Sequence, residues 1–450
     1  MNESTANIDA KTSWLSGLDE AERAEKRRES PRIEALRACG RESFERQGFP
    51  TPRLEDWMYT SVAPIVQGGF RPARPTDVLL GAEDALRHTF GDDWSALLVF
   101  VNGRYVGALS RREALPEGLT VMPLGEALAL GRPGALERLG TIAGVEASGF
   151  AALNAAFFSD GAYVEIARGA AVEKPVHVLH LAHAPLSPLT IQPRNLFVVE
   201  AGANACIVEN YSNVGEHAYF RNAVTEIALG ENAHLEHYRL GRESDAGFHV
   251  SWTEVKQARY SSFSQHSITT GGRIVRNDLN VVQAGDSCQT TLYGLYLAQG
   301  SQHVDNHTAV DHASPHGTSV EYYRGVLDGQ ARGVFNGKVI VRPGAIKTDA
   351  AQTNHNLLLT EDALIDTKPQ LEIFNNDVKC SHGATVGQLD PHALFYVRSR
   401  GLSEKAARSL LTFGFASDVV GRIKIEPLRA RLSEYLAHRF SRDIDLGTPQ

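Results

Sequence analysis

A thiol and an imidazole stand two residues apart at only one place in this chain, Cys380-Ser381-His382. On a β-strand, residues i and i+2 face the same way, about 6–7 Å apart at the backbone, so both side chains can lean toward one ion. A tetrahedral zinc or an iron–sulfur centre takes about four ligands, and this pair supplies two. The pair therefore either binds nothing or is half of a site that a second surface completes. A second cluster is His303, His307, His312 and His316, four of the seventeen histidines within fourteen residues. A spacing of four on a strand keeps His303 with His307, and His312 with His316, on one face. A turn near Pro315 interrupts the run. Metal binding and a ladder of polar groups bonded to neighbouring strands both fit this pattern.

Other chemistry is sparse. Asp349, Asp362, Asp366 and Asp377 lie in or beside turn sequences, where aspartate stabilises local backbone geometry. No G-x-S-x-G, H-E-x-x-H or G-x-G-x-x-G motif is present. Gly333-Val-Phe-Asn-Gly337-Lys338-Val339 looks at first like a phosphate loop. It is one residue short between the glycines, with Val339 where Ser or Thr would hold magnesium. The chain is thus expected to bind no nucleotide and to carry no catalytic residues. Cys39, Cys206 and Cys288 read as small buried hydrophobes.

The elements that must position Cys380 and His382 are short β-segments. From about residue 160 to 388, runs rich in Val, Ile, Leu, Tyr and Thr alternate with turns at Gly169, Gly202, Gly230, Gly285, Gly300, Gly329 and Gly344. In the second half these turns recur at about 12–17 residues, with no helical periodicity. A loose repeat of this kind favours a solenoid whose coils bury their inward faces against one another. The prediction is a mainly β chain: a right-handed parallel β-helix over 156–388, between an N-terminal helical and mixed α/β region (1–155) and a C-terminal helical domain (389–450). A sandwich or barrel is the alternative, and it would more usually show repeated hairpin turns such as Asn-Gly, of which this region has one, Asn336-Gly337.

The flanks are well punctuated. Pro31 opens a helix with Ile33, Leu36, Arg37, Gly40 and Phe44 at steps of three and four, and Trp57 and Tyr59 anchor the next segment. Asn102-Gly103 between apolar runs marks a type I′ hairpin. Asp390-Pro391 starts a helix that Gly401 ends, Ser403 starts a second, and Leu428, Leu432, Tyr435, Leu436 and Phe440 form the stripe of a third. These helices either cap the solenoid's end or dock a partner.

Composition excludes several classes. The 450 residues carry a net charge of −8, which argues against a nucleic-acid partner. No apolar run reaches the ~18 residues of a membrane span. The N-terminal sequence has no leader pattern, and the four cysteines have no framework spacing, so a cytoplasmic location with reduced thiols is expected.

Several long blocks carry a resemblance: GVFNGK, RPGAIKTDA, NLLL, DTKPQLEI, DVKCSHGATVG and FYVRSRG, with TPRLEDWMYT near the N-terminus. They resemble the SufB/SufD family of iron–sulfur cluster assembly proteins, and KCSHGATVG resembles the D subunits. The resemblance implies a non-catalytic scaffold subunit. It implies a SufB-like partner, a SufC-like ATPase docked on the C-terminal helices, and a transient iron–sulfur cluster at the B–D interface. It implies that His382 is a ligand of that cluster, with Cys380 beside it, and leaves open whether the chain forms a homodimer in isolation. The rival function for a β-helix is an enzyme such as a polysaccharide lyase, which is usually secreted.

Overall fold

In the computed structural model, which describes residues 3–25, 29–78 and 80–441, strands alternate between two sheets. Met1 and Asn2, of the N-terminal sequence expected to carry no leader, lie outside the described residues. So do residues 442–450 of the expected C-terminal domain.

The first sheet takes Arg194–Val199, Tyr219–Leu229, Phe248–Gln257, Ile274–Gln283, His303–His312, Arg332–Val341 and Leu364–Ile373. The second takes Val176–Ala182, Asn204–Asn213, His234–Glu243, Ser262–Gly271, Gln289–Ala298, Thr318–Leu327, Asp349–Leu358 and Lys379–Gly387. Neighbours within each of these series run parallel. The result is a β-solenoid of about eight coils, not an antiparallel sandwich. Phe248 stands opposite Ile274, 26 residues on, and Arg332 opposite Leu364, 32 residues on. The glycine turns of the sequence therefore mark half-coils.

Stacking explains the composition. On the first sheet one inward column reads Phe197, Ile227, Val255, Val281, Val310, Val339 and Leu371 from coil to coil. All but Leu371, which is half-buried, are shielded from water. Each such burial contributes roughly 1.5–3 kcal/mol. The turns stack as well. Asn232, Tyr260, Ser287, His316 and Lys347 all take φ between +54° and +59°. Each donates its backbone N–H to a carbonyl of the following coil's turn, at 2.7–3.0 Å. At Gly285 an added Cβ would lie 2.1 Å from the Arg259 nitrogen of the preceding coil, so only glycine fits there.

The N-terminal part joins the solenoid rather than standing apart from it. Ala96–Val101 extends the second sheet, and Leu119–Pro123 adds antiparallel to Ala162–Ile166 in the first. Asn102 and Gly103, at φ +50° and +75°, turn the expected hairpin between Ala96–Val101 and Arg104–Tyr105. The helix Pro31–Gln47 buries Ile33, Arg37, Gly40, Ser43 and Phe44, while Leu36 is half-buried. At Gly40 a Cβ would lie 2.7 Å from the Ala156 nitrogen, which fixes how closely this helix meets helix Gly149–Phe157. Cys39 is exposed, contrary to expectation, because Ile33, Arg37, Gly40 and Phe44 occupy the inward stripe and Cys39 falls off it. Cys206 is half-buried and Cys288 is buried. Trp57 is buried beneath the Arg276 guanidinium, 3.8 Å from its ring centre, and Tyr59 is half-buried.

The C-terminal helices, Pro391–Ser399, Glu404–Val420 and Glu426–Ser441, start as expected, on the side chains of Asp390 and Ser403 for the first two. They do not cap the solenoid. The second packs on the flank of strands Gln289–Ala298 and Thr318–Leu327, and Val419, Val420, Leu428 and Leu436 join Leu240, Ile268 and Leu295 in one core.

A buried ion pair ties the N-terminal part to the coils. Arg194 and Glu226 are 2.7 Å apart and almost fully shielded, and Glu226 also accepts the N–H groups of Gly140, Ile142 and Ala143. Arg194→Met leaves that carboxylate without its guanidinium and is expected to cost about 3–5 kcal/mol in urea unfolding. Breaking the exposed Arg46–Glu146 pair by Arg46→Ala should leave the urea midpoint close to that of wild type.

Candidate functional site at the open end of the solenoid

Strand Lys379–Gly387 is the last of the second sheet and Leu364–Ile373 the last of the first. Among the described residues no further strand pairs with either. Pro369, which can donate no ladder hydrogen bond, sits on this terminal strand, where such a residue is tolerated.

Cys380 stands opposite Ala350 and His382 opposite Gln352. Ala350 and Gln352 are both buried, so Cys380 and His382 share the inward face, as their spacing predicted. His382 is nonetheless exposed, because among the described residues no coil follows to cover it. It ends a column that passes back through Gln352, Glu321, Leu292, Gln265 and His237. Two polar stretches flank Leu292. Gln265 Nε2 lies 3.0 Å from His237 Nδ1, and His237 Nε2 lies 3.0 Å from Glu209 Oε2. Beyond Leu292, Gln352 Nε2 donates to Glu321 Oε2 at 2.6 Å. Residue-by-residue reading missed this column. Its signal is the coil length, which places Gln352 and Glu321 about one and two coils before His382.

The two candidate ligands differ in setting. Cys380 is half-buried beside Val339, Val341, Ala345 and Ala350. Burial pushes its thiol pKa up, the Asp349 charge adds to this, and a backbone hydrogen bond with Ala350 opposes it. At neutral pH it is a thiol rather than a ready thiolate. His382 offers an exposed imidazole on an open edge, and an imidazole suits iron.

The four-histidine run does not converge. His303 Nε2 lies 2.8 Å from Thr60 Oγ1, and His307 Nε2 lies 3.1 Å from Asp305 Oδ1. His312 Nε2 lies 2.9 Å from Ser319 Oγ, and His316 Nδ1 lies 3.3 Å from Asp286 Oδ2. The strand ends at His312, and His316 sits in the turn at φ +57°, so these two do not share a strand face. Only His316 reaches a neighbouring coil, so the expected ladder is partial. Among the described residues no group of three or more His, Cys, Asp or Glu could hold a metal ion. Asp366 on the terminal strand pairs with Arg332 of the preceding coil at 2.7 Å, and Asp377 with Lys347 at 2.8 Å beside a turn. The Gly333–Lys338 segment is plain strand, not a loop. No helix of the described residues is long and apolar enough to cross a membrane.

An uncovered last coil is ringed by exposed apolar side chains, namely Leu364, Phe374 and Val386, with Phe395 and Tyr396 on the first C-terminal helix. The fold defines a parallel β-solenoid whose last coil, among the described residues, is left uncovered. Residues 182–415 match the SufBD core domain of SUF-system iron–sulfur cluster assembly, and residues 9–178 match the SufBD N-terminal region. The chain belongs to the SufBD family. It is 33% identical over 402 residues to an iron–sulfur cluster assembly SufBD family protein of Synechocystis, covering 87% of each chain. It is 30% identical over 396 residues to the iron–sulfur cluster assembly protein SufD of Escherichia coli, covering 88% of this chain and 90% of that one. Protein ABCI7, chloroplastic, of Arabidopsis thaliana is 32% identical over 276 residues, 59% of this chain and 58% of its own.

The column leading to His382 makes a pH prediction. Burial pushes the Glu321 carboxyl up to about 7, against the hydrogen bond from Gln352. An acid whose folded pKa exceeds its unfolded value near 4.5 costs stability as pH rises from about 4.5 to 7, and the cost levels off above 7. Glu321→Gln removes that cost and keeps an acceptor for Gln352. Its stability relative to wild type in urea titrations should rise by roughly 3 kcal/mol at most between pH 5 and pH 8.

Proposed function

We propose that this chain is a SufD-like, non-catalytic scaffold subunit that pairs with a SufB-like subunit and holds part of a nascent iron–sulfur cluster where the two meet. The observation that carries this reading is His382, exposed on the uncovered coil of an unpaired edge strand. An edge strand is a template for pairing with another chain. A partner strand laid against Lys379–Gly387 would bring its own side chains over His382 and Cys380, supplying the ligands that two residues cannot. Without that partner the same edge is open to a second copy of this chain. The cluster is cargo built in the shared site, and no nucleotide is bound here.

The C-terminal region, 389–450 in our division, serves as the platform for a SufC-like ATPase. Phe395 is 74% exposed and Tyr396 60%, far more than a helix that only packs on the coils requires. We place this work in the cytoplasm. The divisions 1–155 and 156–388 are those of the sequence, although strands before residue 156 extend both sheets.

Anaerobic reconstitution of the complex with a SufB-like subunit tests the site. His382→Ala leaves one of about four cluster positions open to water, so iron and sulfide content and visible absorption should fall severalfold with the complex intact. Cys380→Ala should matter less if its thiol only packs against Ala350. Full cluster content in His382→Ala would make the histidine structural. Phe395→Asp with Tyr396→Asp should abolish co-purification of the ATPase while the solenoid stays folded, and retained binding would contradict that docking site.

A further inference from the structure

A pocket far from His382 lies where three parts of the chain meet: the His88 loop, the second sheet and the last C-terminal helix. Its cavity is about 90 Å³. Phe90, Leu240, Ile268 and Leu428 form an apolar wall, and Arg242, Arg431 and His88 bring nitrogen donors to it.

The basic groups are held in place. Arg431 donates to the carbonyls of Thr89 and Arg87, and Asn210 Nδ2 donates to the carbonyl of His88 at 2.9 Å. Three successive carbonyls of the loop are thus fixed to the helix and the sheet. Arg242 Nη2 lies 2.7 Å from His88 Nδ1, and Ser212 Oγ lies 2.7 Å from the same nitrogen. A guanidinium can only donate, so Nδ1 is the acceptor and the ring proton belongs on Nε2. Burial, then the charges of Arg242 and Arg431, push the imidazole down to about 4, so it stays neutral.

The charge is not balanced locally. Among the described residues no carboxylate pairs with Arg242, and Arg431 repels it. Asp84, whose charge reaches His88, is 3.7 Å from Arg87 instead. Both guanidiniums are exposed at the pocket, and that of Arg242, with no carboxylate partner, presents a charged donor there to an oxyanion.

We propose that this pocket binds a small oxyanion carrying an apolar group, with the oxyanion on Arg242 and the His88 imidazole and the apolar part against Phe90, Leu240 and Leu428. Because the pocket joins loop, sheet and helix, its occupant would brace the C-terminal helices on the solenoid. Occupancy is independent of the cluster site.

The test is calorimetric titration of the full chain with inorganic phosphate and with phenyl phosphate at constant ionic strength. Saturable 1:1 binding is expected, with phenyl phosphate tighter than phosphate. Arg242→Gln keeps a donor for His88 Nδ1 and should weaken both ligands at least tenfold with an unchanged Tm in chloride buffer. His88→Gln provides a second variant and should also weaken both. No saturable binding by the wild type, equal affinity for the two probes, or unchanged binding in both variants would overturn the proposal.

Discussion

A stacked coil satisfies its backbone and its inward side chains only through the coils on either side. Parallel strands in register exchange hydrogen bonds with the coil before and the coil after, and inward columns such as Phe197 to Leu371 exclude water only where both neighbours exist. The chain continues this pattern to Leu364–Ile373 and Lys379–Gly387 and then leaves it for helices that lie on the flank. The uncovered end follows from that arrangement. Inward residues that would be buried one coil earlier, His382 among them, are presented to whatever covers the end.

The same constraint separates the two residues of the Cys-x-His pair. Cys380 leans on Ala350 and Val341 of the preceding coil, and burial keeps its thiol protonated. Two positions along, His382 meets the Gln352 position, where the interior is polar, and remains accessible. The interior behind it carries Glu321 and Gln352 hydrogen-bonded to each other. A buried carboxyl near neutrality is thus set close to the histidine's end of the column.

Much of the architecture was legible in the sequence, because local signals and global fold agree there. The seven glycine turns fall between strands, Asn102-Gly103 turns its hairpin, and Asp390 and Ser403 cap their helices through their own side chains. What was not legible depends on partners that spacing along the chain does not reveal. His303, His307, His312 and His316 look like a cluster at spacings of four, yet their partners come from Thr60, Asp305, Ser319 and Asp286. Cys39 looked like core because cysteine usually is, and the helical stripe turned it to water. The shared face of Cys380 and His382 could be read from alternation alone. Its exposure could not, since that depends on where the stacking stops.

Hydrogen exchange tests the central claim, that the strand Lys379–Gly387 is a pairing edge that carries His382 into a shared interface. Amide exchange would be followed across this strand and across the interior strand Gln289–Ala298, with and without a SufB-like subunit. The account predicts strong new protection over 379–387 on complex formation, with 289–298 slow in both states. Unchanged exchange over 379–387 in a complex of full stoichiometry would contradict it.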